Sequence, residues 1–252
     1  SFLHISRPEV DLPKGTDPYA PEVYAKAREN LELMIAEGIL LRDPDARYYV
    51  YRLAMGEHVQ TGLVAAASVA AYDADRIKKH EFTRPVKEDD RVRQIDALNA
   101  QTGPAFLVYR NTAAIDDTLA AVATGAPEVD ITAVDGVRHE VWSVSDAATI
   151  ESLTNAFEAL DALYVADGHH RSAAASRVAA ARRAANPGHT GEEPYNYFLS
   201  VIFPHNQMQI LAYNRLVRDL HGLEAEQFLS RVAVPFRVER SAEPVAPTRL
   251  AE

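Results

Sequence analysis

Apolar residues along the chain follow two patterns, short β-rich runs and longer stretches of helical period, which are separated by Gly, Pro and Asp-Gly signals. The short runs predict strands at 2–6, 48–53, 59–69, 105–109, 129–134, 137–144, 163–166, 195–203, 209–216 and 235–239. The helical-period stretches predict helices at 17–38, 87–99, 113–123, 146–160, 168–186 and 223–232. Because hairpins occur together with strand–helix steps, we predict an α+β fold of mixed β-sheets with packed helices.

Local signals add detail to several of these elements. Gly56 joins the strands 48–53 and 59–69, and Asp135-Gly136 is a strong turn signal for a hairpin of 129–134 with 137–144. Gly62, with the small residues that follow it, indicates that its strand packs closely against a ligand or another backbone. Asp146 is the expected N-cap of the helix 146–160.

The length of 252 residues suits one large domain or two small ones. No internal repeat or low-complexity segment divides the chain, so we predict a single α+β domain over 1–252, with 1–145 and 146–252 as candidate sub-lobes. The chain starts at Ser1 inside a predicted strand, and we expect it to be truncated at both ends.

Composition excludes several classes of function. Lys and Arg number 26 against 36 Asp and Glu, a net charge of −10 without any basic block, which disfavours binding to nucleic acid. The absence of cysteine excludes disulfides, thiolate catalysis and Cys-type zinc sites. No apolar stretch approaches the roughly 20 residues that cross a bilayer, so no membrane partner is predicted and the cytoplasm is the expected location.

The turn after the predicted strand 163–166 is the most unusual stretch. Asp167-Gly168 ends the strand, and an Ala-rich pattern of strong helix propensity follows. His169-His170-Arg171 therefore lies where the first helical N–H groups lack backbone partners and the helix dipole is positive. Cations at this end oppose helix stability, which favours a functional role over a merely solvated turn. We predict an anion site there, with phosphate as the first candidate.

A second charged stretch reads Ile77-Lys-Lys-His-Glu-Phe-Thr-Arg84-Pro-Val-Lys-Glu-Asp-Asp-Arg91. Its composition alone favours a solvated loop followed by the acidic start of a helix at 87–90. Together with Ala166-Asp-Gly-His-His-Arg171, however, it resembles DUF1015, a large prokaryotic family of unknown function whose genes often lie beside serine-biosynthesis genes. This resemblance extends from Ser6-Arg-Pro-Glu9 to Tyr213-Asn-Arg215.

The turn 167–171 by itself resembles the phosphate-binding turn of the ParB/sulfiredoxin-like fold. That fold includes chromosome-partition nucleotide-binding domains, sulfiredoxin, and free-serine kinases with an Asp-Gly-His-His-Arg version of the turn. The resemblance implies a ParB/sulfiredoxin-like element around Asp167–Arg171 that holds nucleotide phosphates. Sulfiredoxin chemistry itself is excluded because it needs a cysteine.

The resemblances imply a nucleotide-dependent phosphotransferase that uses ATP or ADP with Mg²⁺ and acts on a small hydroxylated metabolite such as free serine. The candidate phosphate- and nucleotide-binding residues are Gly168, His169, His170, Arg171, Arg84, Arg91 and Lys79. The catalytic candidates are Glu81 as the base, His80 beside it, and Asp167, which binds metal or caps the helix. Glu88 is the candidate magnesium ligand. These roles require the stretch 78–91 to fold against the turn.

Two other classes of function remain open. A non-catalytic nucleotide or metabolite sensor would use the same turn without needing Glu81. A metal-dependent hydrolase would use a set of histidines, namely His80, His169, His170 and His205. Adjacent histidines on a helix point about 100° apart, however, and the His-Glu-x-x-His arrangement is absent. The expected partners are a nucleotide and a small-molecule substrate, and a homo-oligomer is a further expectation.

Overall fold

The structure, a computed structural model, describes residues 1–211, 217–239 and 242. The chain forms two compact units, Ser1–Met208 and Gln209–Glu252. In the second unit, the helix α8 (Ala225–Val232) confirms the predicted helix at 223–232. The predicted strand 235–239 is wrong, since a turn and irregular backbone follow α8 there. Of the predicted strand 209–216, the part at 209–211 is not a strand and the rest, including Asn214-Arg215, lies outside the described residues.

The first unit is built on one eight-stranded mixed sheet. Its strands are β1 (Tyr48–Met55), β2 (His58–Ser68), β3 (Ile77–Lys78), β4 (Ala105–Tyr109), β5 (Val129–Thr132), β6 (Arg138–Val144), β7 (Leu163–Asp167) and β8 (Tyr197–Pro204). The strand order is β3-β7-β4-β8-β2-β1-β6-β5, in which β3–β7 and β4–β8 are parallel and the other pairs antiparallel. The α+β prediction is confirmed. The candidate sub-lobes 1–145 and 146–252 both contribute strands to this sheet.

The first unit also contains seven α-helices. They are α1 (Leu3–Ser6), α2 (Pro21–Ala36), α3 (Val69–Asp73), α4 (Pro85–Leu98), α5 (Ala113–Val122), α6 (Ala147–Glu158) and α7 (His169–Ala185). Helices α5 and α6 pack on each other, whereas α4 packs against both α2 and α7. Asp146 caps α6 as predicted, accepting the N–H of Thr149 at 2.8 Å. Within the described part of the chain, no helix has both the length and the apolar character needed to cross a membrane.

The predicted strand at 2–6 is wrong, because α1 occupies this segment as a single helical turn. Ile5 is fully buried with Ala27 and Leu98, and its carbonyl accepts Nε2–H of Gln94 at 2.9 Å. One turn of helix buries this apolar side chain against α2 and α4, whereas a strand would need a partner that the sheet does not place there.

Close packing at Gly62 is confirmed, and its partner is backbone. A Cβ at this position would lie 2.5 Å from the Ile202 carbonyl oxygen and 2.7 Å from the Phe203 ring. The glycine therefore lets β2 approach β8, which in turn lies beside β4. The predicted turns at Gly56 and Gly136 both have the positive φ that favours glycine, +58° and +83°.

Candidate functional site

The turn between β7 and α7 depends on the glycine at its centre. Gly168 has φ +95° and ψ 25°, a left-handed conformation that a side chain disfavours. A Cβ there would lie 3.0 Å from the Cα of Ala105 and 3.0 Å from Nε of Arg171. Because β4 runs antiparallel beside β7, the start of β4 closes over the turn and leaves no room for a side chain.

Helix α7 begins at this turn with a half-buried cation, Arg171, and a buried hydroxyl, Ser172. The N–H and Oγ of Ser172 both donate to the Gly168 carbonyl, at 2.9 and 3.1 Å. Arg171 donates through Nη2 to the Asp167 carboxylate at 2.6 Å. Asp167 does not cap α7, because Gly168 occupies the N-cap position and no side chain caps the helix there. The capping role considered for Asp167 is therefore wrong.

A cavity of about 540 Å³ opens at the start of α7. Seven of the residues that the sequence predicted for the site line it, namely Glu81, Arg91, Asp167, Gly168, His169, His170 and Arg171. The stretch 78–91 thus folds against the turn. The cavity is also lined by residues that the sequence did not single out for the site, among them Lys87, Asp90, Gln94, Gln101, Thr102 and Gly103.

His169 is almost completely buried, with 3% of its surface exposed. Its Nδ1 lies 3.5 Å from Oε2 of Glu81, and the ring of His80 stands perpendicular to its own ring with the centroids 4.5 Å apart. Its Nε2 is buried and has no hydrogen-bond partner within the described part of the chain. Burial, and next the neighbouring His80, lower the pKa of His169, so its imidazole is neutral at neutral pH.

His170 connects the charged stretch to α7. Its Nε2 accepts the backbone N–H of Arg84 at 3.1 Å. The contact therefore uses the backbone of Arg84 and not the guanidinium, which the sequence had assigned to phosphate. It holds the loop that carries His80 and Glu81 against the first turn of α7.

Four predicted site residues do not line the cavity, namely Lys79, His80, Arg84 and Glu88. Glu88 accepts Oγ1–H of Thr83 at 2.6 Å and Nη1–H of Arg177 at 2.9 Å, and these bonds, that of Thr83 first, lower the pKa of the Glu88 carboxyl. Lys79 donates to the Tyr72 carbonyl at 3.0 Å and lies 4.2 Å from the centre of the Tyr72 ring. Both side chains have partners within the fold.

Helix α4 supplies one wall of the cavity. Lys87, Arg91 and Gln94 lie at i, i+4 and i+7 and share one face of this helix. The guanidinium of Arg91 donates through Nε to Asp90 at 3.0 Å, and the buried Asp90 carboxylate also accepts Oη–H of Tyr24 at 2.9 Å. Asp90 thus holds Arg91 at the wall of the cavity.

Gln101 fixes the other wall. Its Nε2 donates to the Tyr197 carbonyl and its Oε1 accepts the Leu199 N–H, each at 2.9 Å. The amide thereby joins the loop before β4 to the backbone of β8. Gly103, two residues further on, leaves space for Arg171, whose Cδ would lie 3.4 Å from a Cβ at that position.

The histidines proposed for a metal-dependent hydrolase do not form one site. His205 accepts the backbone N–H of Asn111 at 3.1 Å and does not line the cavity. Among the described residues, no group of three or more His, Cys, Asp and Glu side chains could hold a metal ion. The adjacent His169 and His170 have the separate surroundings that their helical spacing predicts.

No curated protein and no solved structure matches the chain. The resemblance of the turn 167–171 to the ParB/sulfiredoxin-like fold therefore stays a prediction about one turn. The sequence pattern of the family described as "Protein of unknown function (DUF1015)" matches residues 1–251, which is essentially the whole chain. The chain belongs to the DUF1015 family.

Proposed function

We propose that this protein binds a nucleotide through its phosphates at the start of α7 and transfers a phosphoryl group to a small hydroxylated metabolite. One observation carries the proposal. The left-handed Gly168 leads into the unpaired N–H groups of α7, and His169, His170 and Arg171 line the same cavity as Lys87 and Arg91. Peptide N–H groups and cations that converge at a helix start are a general solution for binding phosphate.

The size of the cavity and the cations in its wall agree with a phosphorylated small molecule. A volume of about 540 Å³ lies within the range of ligand sites. Phosphoryl transfer needs cations around the transferring group and a group that takes the hydroxyl proton. Arg91, Arg171 and Lys87 supply the cations, and the predicted base Glu81 lies at the wall beside His169. Free serine is the acceptor that the resemblance of the turn favours.

The described carboxylates near the start of α7 do not form a magnesium site. Both oxygens of the predicted Glu88 are bonded, and Asp167 is paired with Arg171 at 2.6 Å. Mg²⁺ with a nucleotide needs only one or two protein carboxylates, since phosphates and water complete its shell. A magnesium ion would therefore enter with the nucleotide, held chiefly by its phosphates and by water. A bound magnesium ion would neutralise phosphate charge during the transfer.

A non-catalytic nucleotide or metabolite sensor is the second candidate. Two carboxylates favour it, because both are already paired within the protein. The catalytic candidate Asp167 is paired with Arg171, and the metal candidate Glu88 is paired with Arg177. For either function, small molecules are the proposed partners and the cytoplasm is the proposed location.

The test is incubation of the protein with ATP or ADP, Mg²⁺ and a mixture of small hydroxy metabolites that includes serine, with new phosphorylated products identified by mass. We expect Arg171→Ala to weaken nucleotide binding by about 10- to 100-fold, because a hydrogen bond to a charged group is lost. Arg183→Ala, in the last turn of the same helix, is the matched control. Binding without any product would favour the sensor, and the absence of binding would refute both functions.

A further inference from the structure

The two adjacent histidines of the turn have opposite hydrogen-bonding states. The Nε2 of His170 accepts the Arg84 N–H at 3.1 Å, so its lone pair is used and the proton of the neutral ring lies on Nδ1. His170 therefore holds the loop before α4 against α7, and its ring has no free lone pair that could accept a proton from a substrate.

His169 has the converse arrangement. The carboxylate of Glu81, 3.5 Å from Nδ1, favours the tautomer with the proton on Nδ1. The lone pair is then on Nε2, which is buried without a partner in the described part of the chain. Buried polar atoms normally have partners, and an exception next to a ligand cavity indicates an atom whose partner arrives with the ligand.

We propose that Nε2 of His169 accepts the proton of the acceptor hydroxyl, and that Glu81 is a positioning residue that acts through this imidazole. The inference rests on the proposed phosphotransferase and changes the base within it. The O–H bond of the acceptor breaks and its proton moves to Nε2, while the oxygen electron pair forms a bond to the terminal phosphorus of the nucleotide. The bond from that phosphorus to the bridging oxygen breaks, and its electrons leave with the shortened nucleotide. The imidazolium then returns its proton to water.

The surroundings of the ring suit this role. The ring of His80, which stands against that of His169, belongs to an exposed segment without regular secondary structure and can be displaced by an acceptor. The charged and titratable groups that act on His169 are His80 and His170, which lower its pKa, and Glu81 and Asp167, which raise it. Burial is the largest influence and keeps the ring neutral, as a base must be.

The experiment measures kcat against pH for the intact protein with ATP, Mg²⁺ and the acceptor found above. His169→Gln is compared with His58→Gln on β2, and Glu81→Gln with Glu57→Gln in the β1–β2 turn. We expect His169→Gln to lose about 10²- to 10⁴-fold in kcat, as for the removal of a general base. Glu81→Gln should lower kcat by a smaller factor. The acidic limb of its kcat–pH profile should move to lower pH, because a negative charge that raises the pKa of His169 is removed. Imidazole should restore part of the activity of His169→Ala.

The opposite pattern would overturn the inference. If Glu81→Gln were inactive at every pH while His169→Gln kept more than about a tenth of the activity, Glu81 would be the base and the proposed function would stand. If the wild type formed no product with any acceptor, the inference and the phosphotransferase would both fail. Should His169→Gln not fold, the pH profile of Glu81→Gln decides, since the Glu81 side chain is 60% exposed and its replacement leaves the core intact.

Discussion

Replacement of Gly168 by alanine tests whether the turn is as tightly enclosed as the structure indicates. Two costs add at this position. The backbone has φ +95°, and the new Cβ would lie 3.0 Å from the Cα of Ala105. The Ala105 backbone cannot retreat easily, because β4 is hydrogen-bonded to both β7 and β8. Arg171 can move aside, but only by releasing Asp167.

The expected loss in the free energy of unfolding for Gly168→Ala follows from these two costs. A left-handed backbone costs an alanine about 1–2 kcal/mol. Overpacking against a fixed backbone costs about 1–3 kcal/mol more. Gly136→Ala is the matched control, since Gly136 has φ +83° but no atom within 4 Å of its Cβ position. We therefore expect Gly168→Ala to lower the free energy of unfolding by about 1–3 kcal/mol more than Gly136→Ala does.

The assay is urea unfolding followed by the fluorescence of the single tryptophan, Trp142. Equal losses for Gly168→Ala and Gly136→Ala would refute the close approach of β4 to the turn. Nucleotide binding by Gly168→Ala provides a second measurement, because a shifted Arg171 would weaken it while the control variant would bind normally.

Two further predictions concern the sheet. Gly62→Ala should lower the free energy of unfolding by about 1–3 kcal/mol, because its Cβ would lie 2.5 Å from the Ile202 carbonyl oxygen, and a stability unchanged in urea unfolding would contradict this packing. The buried carboxylate of Glu140 accepts Nε–H of Arg52 at 2.7 Å and Nη2–H at 2.8 Å, which lowers its pKa below the ordinary 4.5. The stability that this bond supplies is present above about pH 4.5 and is lost as the pH falls through the lowered pKa. Glu140→Gln should therefore flatten the loss of stability below pH 4.5, and thermal unfolding that shows the same acid dependence in wild type and variant would exclude the effect.

Much of the fold was predictable because local signals agree with tertiary packing. Asp146 caps α6 and Gly136 forms its hairpin turn, because aspartate at a helix start and glycine at a positive φ are favoured in any context. The apolar run at 105–109 is a strand with the predicted bounds. The prediction was wrong for 2–6 and 235–239, because a short apolar run becomes a strand only where a neighbouring strand pairs with it, as β7 and β8 do with 105–109. The order of strands in the sheet, which places β4 between β7 and β8, has no local signal.

The sequence predicted the residues of the candidate site that belong to one local turn. It predicted less well the residues whose positions depend on contacts between distant segments. The turn 167–171 lines the cavity because strand, glycine and helix are all encoded locally. Lys79 and Glu88 instead bind Tyr72 and Arg177, contacts that depend on how α3, α4 and α7 meet. The loop 101–103 reaches the cavity only because β4 lies beside β7.

The position of β8 in the sheet has a consequence for the order of events during synthesis. Leu63 of β2 pairs with Ile202 of β8, and Ala105 of β4 pairs with Ser200 of β8. Neither β2 nor β4 can therefore form all its hydrogen bonds in the sheet before β8 has emerged from the ribosome. At about 5–20 residues per second, Glu81 is translated about 6–25 seconds before the end of β8. Through this interval the wall that Gln101 forms with β8 does not exist. A nascent chain therefore acquires the cavity at the start of α7 only as a late product of folding, and the nucleotide that we propose for it would not assist the earlier steps.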